Sequence, residues 1–414
     1  MCDMKKVMIL GGGPNQLGLL RTAKECGYMI VLCDKNPQCI GKNSADIFYS
    51  VDIINEEEIT KIAVAEKING IISNSEIVME VVAKVSTFLG LTGNSREGIS
   101  ILNSKQEFRE FQQANDIFAP KHKMVADNYN ISNVLDGLKF PLIVKPVKCS
   151  GTRGTVRFDS YEQDELKKAI DSCIRFSRNK KCTIEEYIEM PSLNVLEGDV
   201  FINEGKYFWG GLYFTKRSAQ HPMVPMTYMS PYVDSDNHMI IIKNTLSKMF
   251  DRLRIRHGEY NVEAYFDKND NFFIIEINAR QGGHGLPAYV KLATNVDMDK
   301  LLVTTAVGDN AYFDSILEKP YEQKFATRHT IFSDSDGVLE SVYIDDRIKK
   351  YIVEVEFNTK IGGAVEKRIN GSSYIGFVNL IFDSYEIQHM YSENIEEYIY
   401  PIVKNSCEEI LTDE

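Results

Sequence analysis

The sequence predicts an α/β domain with a parallel sheet at the N-terminus, followed by α+β segments. Three observations carry that prediction. Strand and helix patterns alternate through the first hundred residues, which is the signature of a parallel sheet with helices on both faces. From about Ser95 the texture shifts to strand-rich stretches broken by glycine and proline. The chain has 414 residues, 43% hydrophobic and 26% charged, enough for two or three domains at roughly 150 residues each.

The elements follow in order. Residues 7–10 form a short apolar strand ending in Gly11-Gly12-Gly13-Pro14. A helix over residues 15–26 has Leu17, Leu20 and Ala23 on one face, and Gly27 stops it. Strands at 29–33, 47–49 and 71–73 flank a helix at 56–67. Residues 105–114 read as a helix. Two strands, 140–147 and 155–158, are joined by a polar glycine loop. A helix at 164–178 precedes a strand at 182–188. Residues 200–214 are strand-rich, 239–252 helical, and 261–278 a hairpin. The tail from about Tyr321 is mostly strand-like.

Charge and cysteines exclude several classes. Lys plus Arg is 47 and Asp plus Glu is 59, a net charge of −12. Non-specific nucleic-acid binding needs a basic surface, so no nucleic-acid partner is expected. The eight cysteines form no Cys-x-x-Cys pair, which fits reduced thiols. Neither a signal-peptide core nor a membrane-length apolar run occurs, so a cytoplasmic protein without a membrane partner is expected.

Gly11, Gly13 and Asp34 have part of a dinucleotide fingerprint. Gln16 replaces its third glycine, and Gly18 comes two residues late. A tight strand-to-helix turn explains the same residues without a nicotinamide. No Walker phosphate loop occurs.

The hairpin carries more chemistry. Folding it about Asp267-Lys268-Asn269-Asp270-Asn271 places Glu263 opposite Glu276 and Asn261 opposite Asn278. Glu263, Glu276 and Asn278 then share one face, with Val262, Ala264, Ile275 and Ile277 on the other. Like charges directly opposite destabilise a sheet. A hard cation such as Mg²⁺ would relieve them, since it takes carboxylate and amide oxygens and shares phosphates. A solvated polar edge is the alternative. Arg280 through Gly285, with His284 among them, form a flexible turn that presents a cation just past the acids.

Lys145 interrupts the apolar run Phe140-Pro141-Leu142-Ile143-Val144. Burying it is costly unless its ammonium meets an anion. The loop after it, residues 148–155, has small and hydroxyl side chains whose N–H groups could cap phosphate oxygens. An ordinary hairpin with an edge lysine is the alternative. Residues 183–188 run extended into Met190-Pro191 and could present backbone groups to a flat base, or be a plain strand.

Taken in order, these motifs resemble the ATP-grasp superfamily of carboxylate–amine ligases, over residues 4–285. The resemblance implies a Rossmann-like pre-ATP-grasp domain (1–100), two ATP-grasp lobes (101–190 and 191–315) and a small C-terminal α+β domain (316–414). It implies ATP as cofactor, with Lys105 and Lys145 on its phosphates beside the loop residues Ser150, Gly151 and Gly154. Glu185, with backbone groups of Glu186 and Ile188, would read adenine. Glu263, Glu276 and Asn278 would hold Mg²⁺, or Mn²⁺ in its place, and Arg280 would be catalytic, stabilising the transferring phosphoryl group. Ser192-Leu193-Asn194 stand where the superfamily often has a ribose-binding glutamate. Residues 359–363 and 372–376 resemble the C-terminal domain of the amino-acid (dipeptide) ligase branch.

The expected function is ATP-dependent joining of a small carboxylate, activated as an acyl phosphate, to a small amine. Amino-acid or peptide-like substrates are expected, and a homodimer is allowed. His284 and residues 221–226 are expected near the acceptor pocket. The rival readings are an NAD-dependent oxidoreductase using the N-terminal glycines and a non-catalytic ATP-binding protein. Residues 386–414 hold eight acids and one base, Lys404, so −7 of the −12 lies far in sequence from the proposed site.

Overall fold

The computed structural model describes residues 4–147, 154–177, 179–220, 224–283, 285–319, 321–369 and 371–404. These contain four sheets. The first has strands Ile47–Ser50, Met29–Asp34, Lys6–Leu10 and Gly70–Ile72 in that order, all parallel. Alternate residues of Lys6–Leu10 enter two cores. Val7 and Ile9 pack with Leu19, Leu20 and Ala23, whereas Met8 and Leu10 pack with Ile59, Ala63, Val81 and Val85. Helices on both faces explain why the strand is apolar throughout.

The second sheet is antiparallel, in the order His122–Val125, Cys182–Glu186, Leu142–Pro146, Val156–Phe158. Helix Gln163–Phe176 covers one face, with Leu166, Ile170 and Cys173 against Val144 and Ile184. Strand alternation leaves Lys145, Thr183 and Glu185 on the other face. Helix Lys105–Ala114 starts beside this sheet. Ser104 caps it by accepting from the Glu107 N–H at 3.4 Å, and the Lys105 N–H donates to the Val147 carbonyl.

The third sheet has eight strands and supplies the frame of the site. It includes Asn194–Asn203, Lys206–Arg217, Pro225–Ser230, His257–Phe266 and Phe272–Asn278. It continues past residue 316 through Phe325–Phe332, Tyr374–Phe382 and Ile352–Phe357. Helix Asp236–Arg252 packs Ile242, Leu246, Met249 and Phe250 against one face. A three-stranded sheet completes the C-terminal part. Among the described residues, no helix is long and apolar enough to cross a membrane.

The structure departs from the sequence reading in several places, among them helices Met79–Leu89 and Arg96–Leu102, which were not expected, and strand Pro225–Ser230, where the prolines at 222, 225 and 231 suggest a loop. Helices Leu286–Thr294, Met298–Ala306 and Ala311–Glu318 were not expected. Pro287 reads as a breaker, but it lies in the first turn, where a missing N–H costs nothing. The hairpin has the expected pairs Asn261–Asn278 and Glu263–Glu276, but the next pair is Ala264–Ile274. Ile275 is therefore an extra residue. It packs with Phe273 and Tyr265 instead of joining Val262 and Ala264, whose core takes Ile274.

Candidate active site

Three neighbouring strands bring the acids together. Glu276 lies opposite Glu263, and Glu263 lies opposite Glu197. The adjacent row is Asn278, Asn261 and Asp199. The sequence reading found the hairpin half and missed Glu197 and Asp199. Their available signal was two acids at alternate positions in the apolar run Val195-Leu196-Glu197-Gly198-Asp199-Val200.

Cations offset part of the repulsion. Lys105 Nζ lies 3.0 Å from Glu276 Oε2, and Arg217 donates to Glu263 Oε2 at 2.7 Å. Asn278 Nδ2 donates to Glu276 Oε1 at 3.2 Å. Lys105 holds the Glu276 carboxyl down at about 2, against the burial that opposes it. Glu197 goes the other way. Burial, reinforced by the Glu263 charge, pushes it up to about 8. Glu259, on the same face, is raised well above its usual range by burial and by Asp199.

Two carboxylates and an amide oxygen are a hard-cation donor set. Among the described residues, no group of three or more His, Cys, Asp or Glu could enclose an ion. A cation here must take further ligands from water or phosphate, as Mg²⁺ does. The donor chemistry therefore fits.

The second cluster is on the four-stranded sheet. Lys145 does not reach out from an edge; it lies 7% exposed on an interior strand. Glu185 Oε2 accepts from Lys145 at 2.7 Å and from Arg109 Nε at 3.2 Å. Burial lowers the Lys145 ammonium to about 8, with Glu185 opposing the shift. Burial disfavours the Glu185 charge, yet Arg109 and Lys145 hold its carboxyl at about 2. Glu185 Oε1 is buried without a hydrogen-bond partner. It fits an incoming N–H donor such as the amino group of adenine. The Glu186 N–H donates to the Lys121 carbonyl, and the Ile188 carbonyl accepts from Tyr265 at 2.6 Å. A base would meet the other backbone groups of these two residues.

Arg109, also missed from sequence, joins the two clusters. It donates to the carbonyls of Ile274 at 3.0 Å and Ile275 at 2.7 Å, capping the bulge beside Glu276. Arg280 donates to the Gln281 carbonyl at 2.6 Å, and the Gly282 N–H that follows is bonded to both oxygens of Asp199 at 3.0 Å. Gly154 turns at φ +74°, where a side chain would crowd Pro146 and Phe176 at 3.3 Å. Ser150, Gly151, residues 221–223 and His284 lie outside the described residues.

The N-terminal glycine loop is closed on itself. Asp34, the acid of the dinucleotide reading, accepts from the Gly12 and Asn36 N–H groups at 2.7 Å each. Gln16 accepts from the Gly13 N–H at 3.1 Å and donates to Asn74 at 2.5 Å. Asn74 in turn donates to Gln281 at 3.4 Å. The loop braces the turn after Arg280, and its acid is already engaged, so the nicotinamide reading is not favoured.

No family model matches the chain. Its sequence is 22% identical over 329 residues to the carbamoyl phosphate synthase large chain of Thermotoga petrophila, covering 74% of this chain and 29% of that protein. It is 23% identical over 323 residues to the C-terminal section of that large chain from Aquifex aeolicus, covering 73% and 58%. The chain thus spans under a third of the Thermotoga protein's length. Among solved structures, it superposes on L-amino acid ligase from Bacillus licheniformis with TM-score 0.77 at 18% identity, covering 97% of this chain and 99% of that one. Phosphoribosylglycinamide synthetase from Anaerococcus prevotii gives TM-score 0.72 at 21% identity, covering 97% and 100%. The chain has the ATP-grasp fold.

Proposed function

We propose that the chain is an ATP-dependent carboxylate–amine ligase acting on amino-acid or peptide-like substrates. One observation carries this reading. A magnesium-type donor set, Glu263, Glu276 and Asn278, shares its sheet face with Lys105 and precedes Arg280, while Lys145 and Glu185 form a separate buried pair with an open acceptor. ATP-grasp neighbours that join carboxylates to amines support it. The four-part layout with boundaries near 100, 190 and 315 is part of the same reading.

In this scheme a substrate carboxylate oxygen attacks the γ-phosphorus of ATP, and ADP leaves. The amine nitrogen then attacks the acyl carbon, phosphate leaves, and the amine gives up a proton. Lys105 and Lys145 neutralise phosphate oxygens, with Ser150, Gly151 and Gly154 of the loop beside them. Glu185 Oε1 and backbone groups of Glu186 and Ile188 orient the base. Arg280 stabilises charge on the transferring phosphoryl group. Glu263, Glu276 and Asn278 would hold Mg²⁺ or Mn²⁺, which supplies further charge neutralisation when bound. The chain contributes position and electrostatics rather than a covalent intermediate.

The test is ADP release with ATP, Mg²⁺ and a panel of carboxylates, with hydroxylamine trapping any acyl phosphate as a hydroxamate. Hydroxamate is the expected product. ATP binding with no hydroxamate from any carboxylate would leave a nucleotide-binding protein that is not a ligase.

A further inference from the structure

The turn that follows Arg280 is held by two acids that the proposed mechanism does not use. Asp199, on strand Asn194–Asn203, is fully buried, and Glu259, on strand His257–Phe266, is 3% exposed. Asn261 lies opposite Asp199, and Glu259 is two residues before Asn261, so the three side chains share one face. The two carboxyls are in hydrogen-bonding contact.

Their surroundings differ. Asp199 accepts from Asn261 Nδ2 at 2.9 Å and, with both oxygens, from the Gly282 N–H at 3.0 Å. Neither oxygen of Glu259 accepts from a donor. An ionised carboxylate only accepts, so two buried carboxyls in contact cannot both stay charged. The donors gather on Asp199, which makes it the ionised member. A proton on Glu259 gives that residue a donor of its own, and Asp199 accepts it.

The Gly282 N–H belongs to the Gln281–Gly282 peptide, and the carbonyl of the same peptide accepts from Arg280 at 2.6 Å. The peptide is planar, so the acid that fixes its N–H also fixes the direction of its C=O. Gly282 allows the close approach: a Cβ there would meet Leu286 at 2.8 Å, Asn261 at 3.1 Å and Asp199 at 3.2 Å. The Arg280 backbone is pinned separately. Its N–H donates to the Asn278 carbonyl at 2.7 Å, and its carbonyl accepts from the Asn261 N–H at 3.1 Å. Strand contacts thus set where the Arg280 backbone lies, and the turn peptide sets where its guanidinium points.

We propose that Asp199 and Glu259 are positioning residues for Arg280, a carboxyl pair that shares one proton and, through the Gln281–Gly282 peptide, aims the guanidinium at the transferring phosphoryl group. The role of Arg280 rests on the ligase reading; the clamp on the peptide does not.

Two substitutions of similar size separate the proton from the packing. The amide of Glu259→Gln can donate to Asp199 as the proton does, and the thioether of Glu259→Met cannot. The experiment measures, on the full chain with Mg²⁺, steady-state hydroxamate formation with ATP and exchange of the Gly282 amide hydrogen by NMR with ADP. Glu259→Met should lower kcat about a hundredfold, the scale of misplacing a catalytic group by about 1 Å, with ATP KM and ADP affinity unchanged. Gly282 exchange should speed up at least about tenfold in the same variant, the loss of support for one hydrogen bond. Glu259→Gln should retain most of kcat and the slow exchange. Gly282→Ala reaches the same peptide without touching the acids and should lower kcat with ADP affinity unchanged, so the idea stays testable if Glu259→Met does not fold. Gly283→Ala, where a Cβ has open space, should do neither. Wild-type kcat in folded Glu259→Met, a Gln variant as slow as the Met variant, or a loss of ADP affinity in parallel with kcat would overturn the pair. No hydroxamate from the unaltered chain with any carboxylate, while Gly282 exchange still follows the pair, would instead overturn the ligase reading and leave the clamp standing.

Discussion

Two sheets each bury a set of charges, and they balance them differently. On the four-stranded sheet one acid, Glu185, meets two cations, Lys145 and Arg109. On the eight-stranded sheet five acids, Glu197, Asp199, Glu259, Glu263 and Glu276, share a face on which only Lys105 and Arg217 make ion pairs with them among the described residues. The first cluster is nearly closed, with one acceptor open. The second still needs positive charge. In the proposed ligase reading, the first cluster would read a neutral base and the second, an electrostatic socket, would be completed by a metal.

Breaking the socket should have the largest effect. Glu276→Gln should lower turnover about a thousandfold, the scale of losing a contact aimed at transition-state charge, with the melting temperature little changed. Steady-state phosphate release and calorimetry check both parts. Retained activity would sink the metal assignment.

Breaking the closed cluster should damage stability instead. Arg109→Met leaves Glu185 with Lys145 alone and uncaps two carbonyls, and should cost about 3 kcal/mol in denaturant unfolding. A variant that unfolds at the wild-type denaturant midpoint would remove Arg109 from its linking role. Lys145→Met should act mainly on the nucleotide, raising the ATP KM about tenfold, the scale of one hydrogen bond to a charged group.

The smallest effects are in pH, and they have opposite signs. Glu185 is held at about 2, below its unfolded value near 4.3, so its contribution is full above pH 4.3 and is lost as pH falls toward 2. Glu197, raised to about 8 in the metal-free chain, binds a proton on folding. Its contribution is present below about pH 4.3 and is lost as pH rises through 8. Glu197→Gln should therefore flatten the alkaline side of a melting-temperature profile between pH 5 and 9 and leave the acid side unchanged. A profile that keeps its alkaline slope would contradict this.

Much of the socket was legible because the hairpin is symmetric about its polar turn, which fixed Glu263 against Glu276. The third acid of the row was not, since Glu197 is brought in by a strand pairing distant in sequence. Arg109 was hidden for the same reason: its partners lie 76 and 165 residues away. Lys145 was legible because a buried ammonium needs an anion, and Glu185 supplies it. Gln16 was legible as a break in the dinucleotide fingerprint, and its bonds give the reason: it is the side chain that closes that loop and passes it on to Asn74. The Ile275 bulge leaves no mark, because one extra apolar residue in an apolar strand changes no visible period.

That bulge has an evolutionary consequence. Without Ile275 the rungs Glu263–Glu276 and Ala264–Ile274 would simply be consecutive, with the acids still paired. The insertion is therefore dispensable to the acid ladder, and what it adds is a spare carbonyl for Arg109 to grip. A hairpin of this kind can be shortened by one residue and keep its acids, or lengthened by one and acquire a handle for the neighbouring lobe. Single-residue length variation at this point, more than substitution of the acids, is where relatives of this chain can be expected to differ in how tightly the two charge clusters are linked.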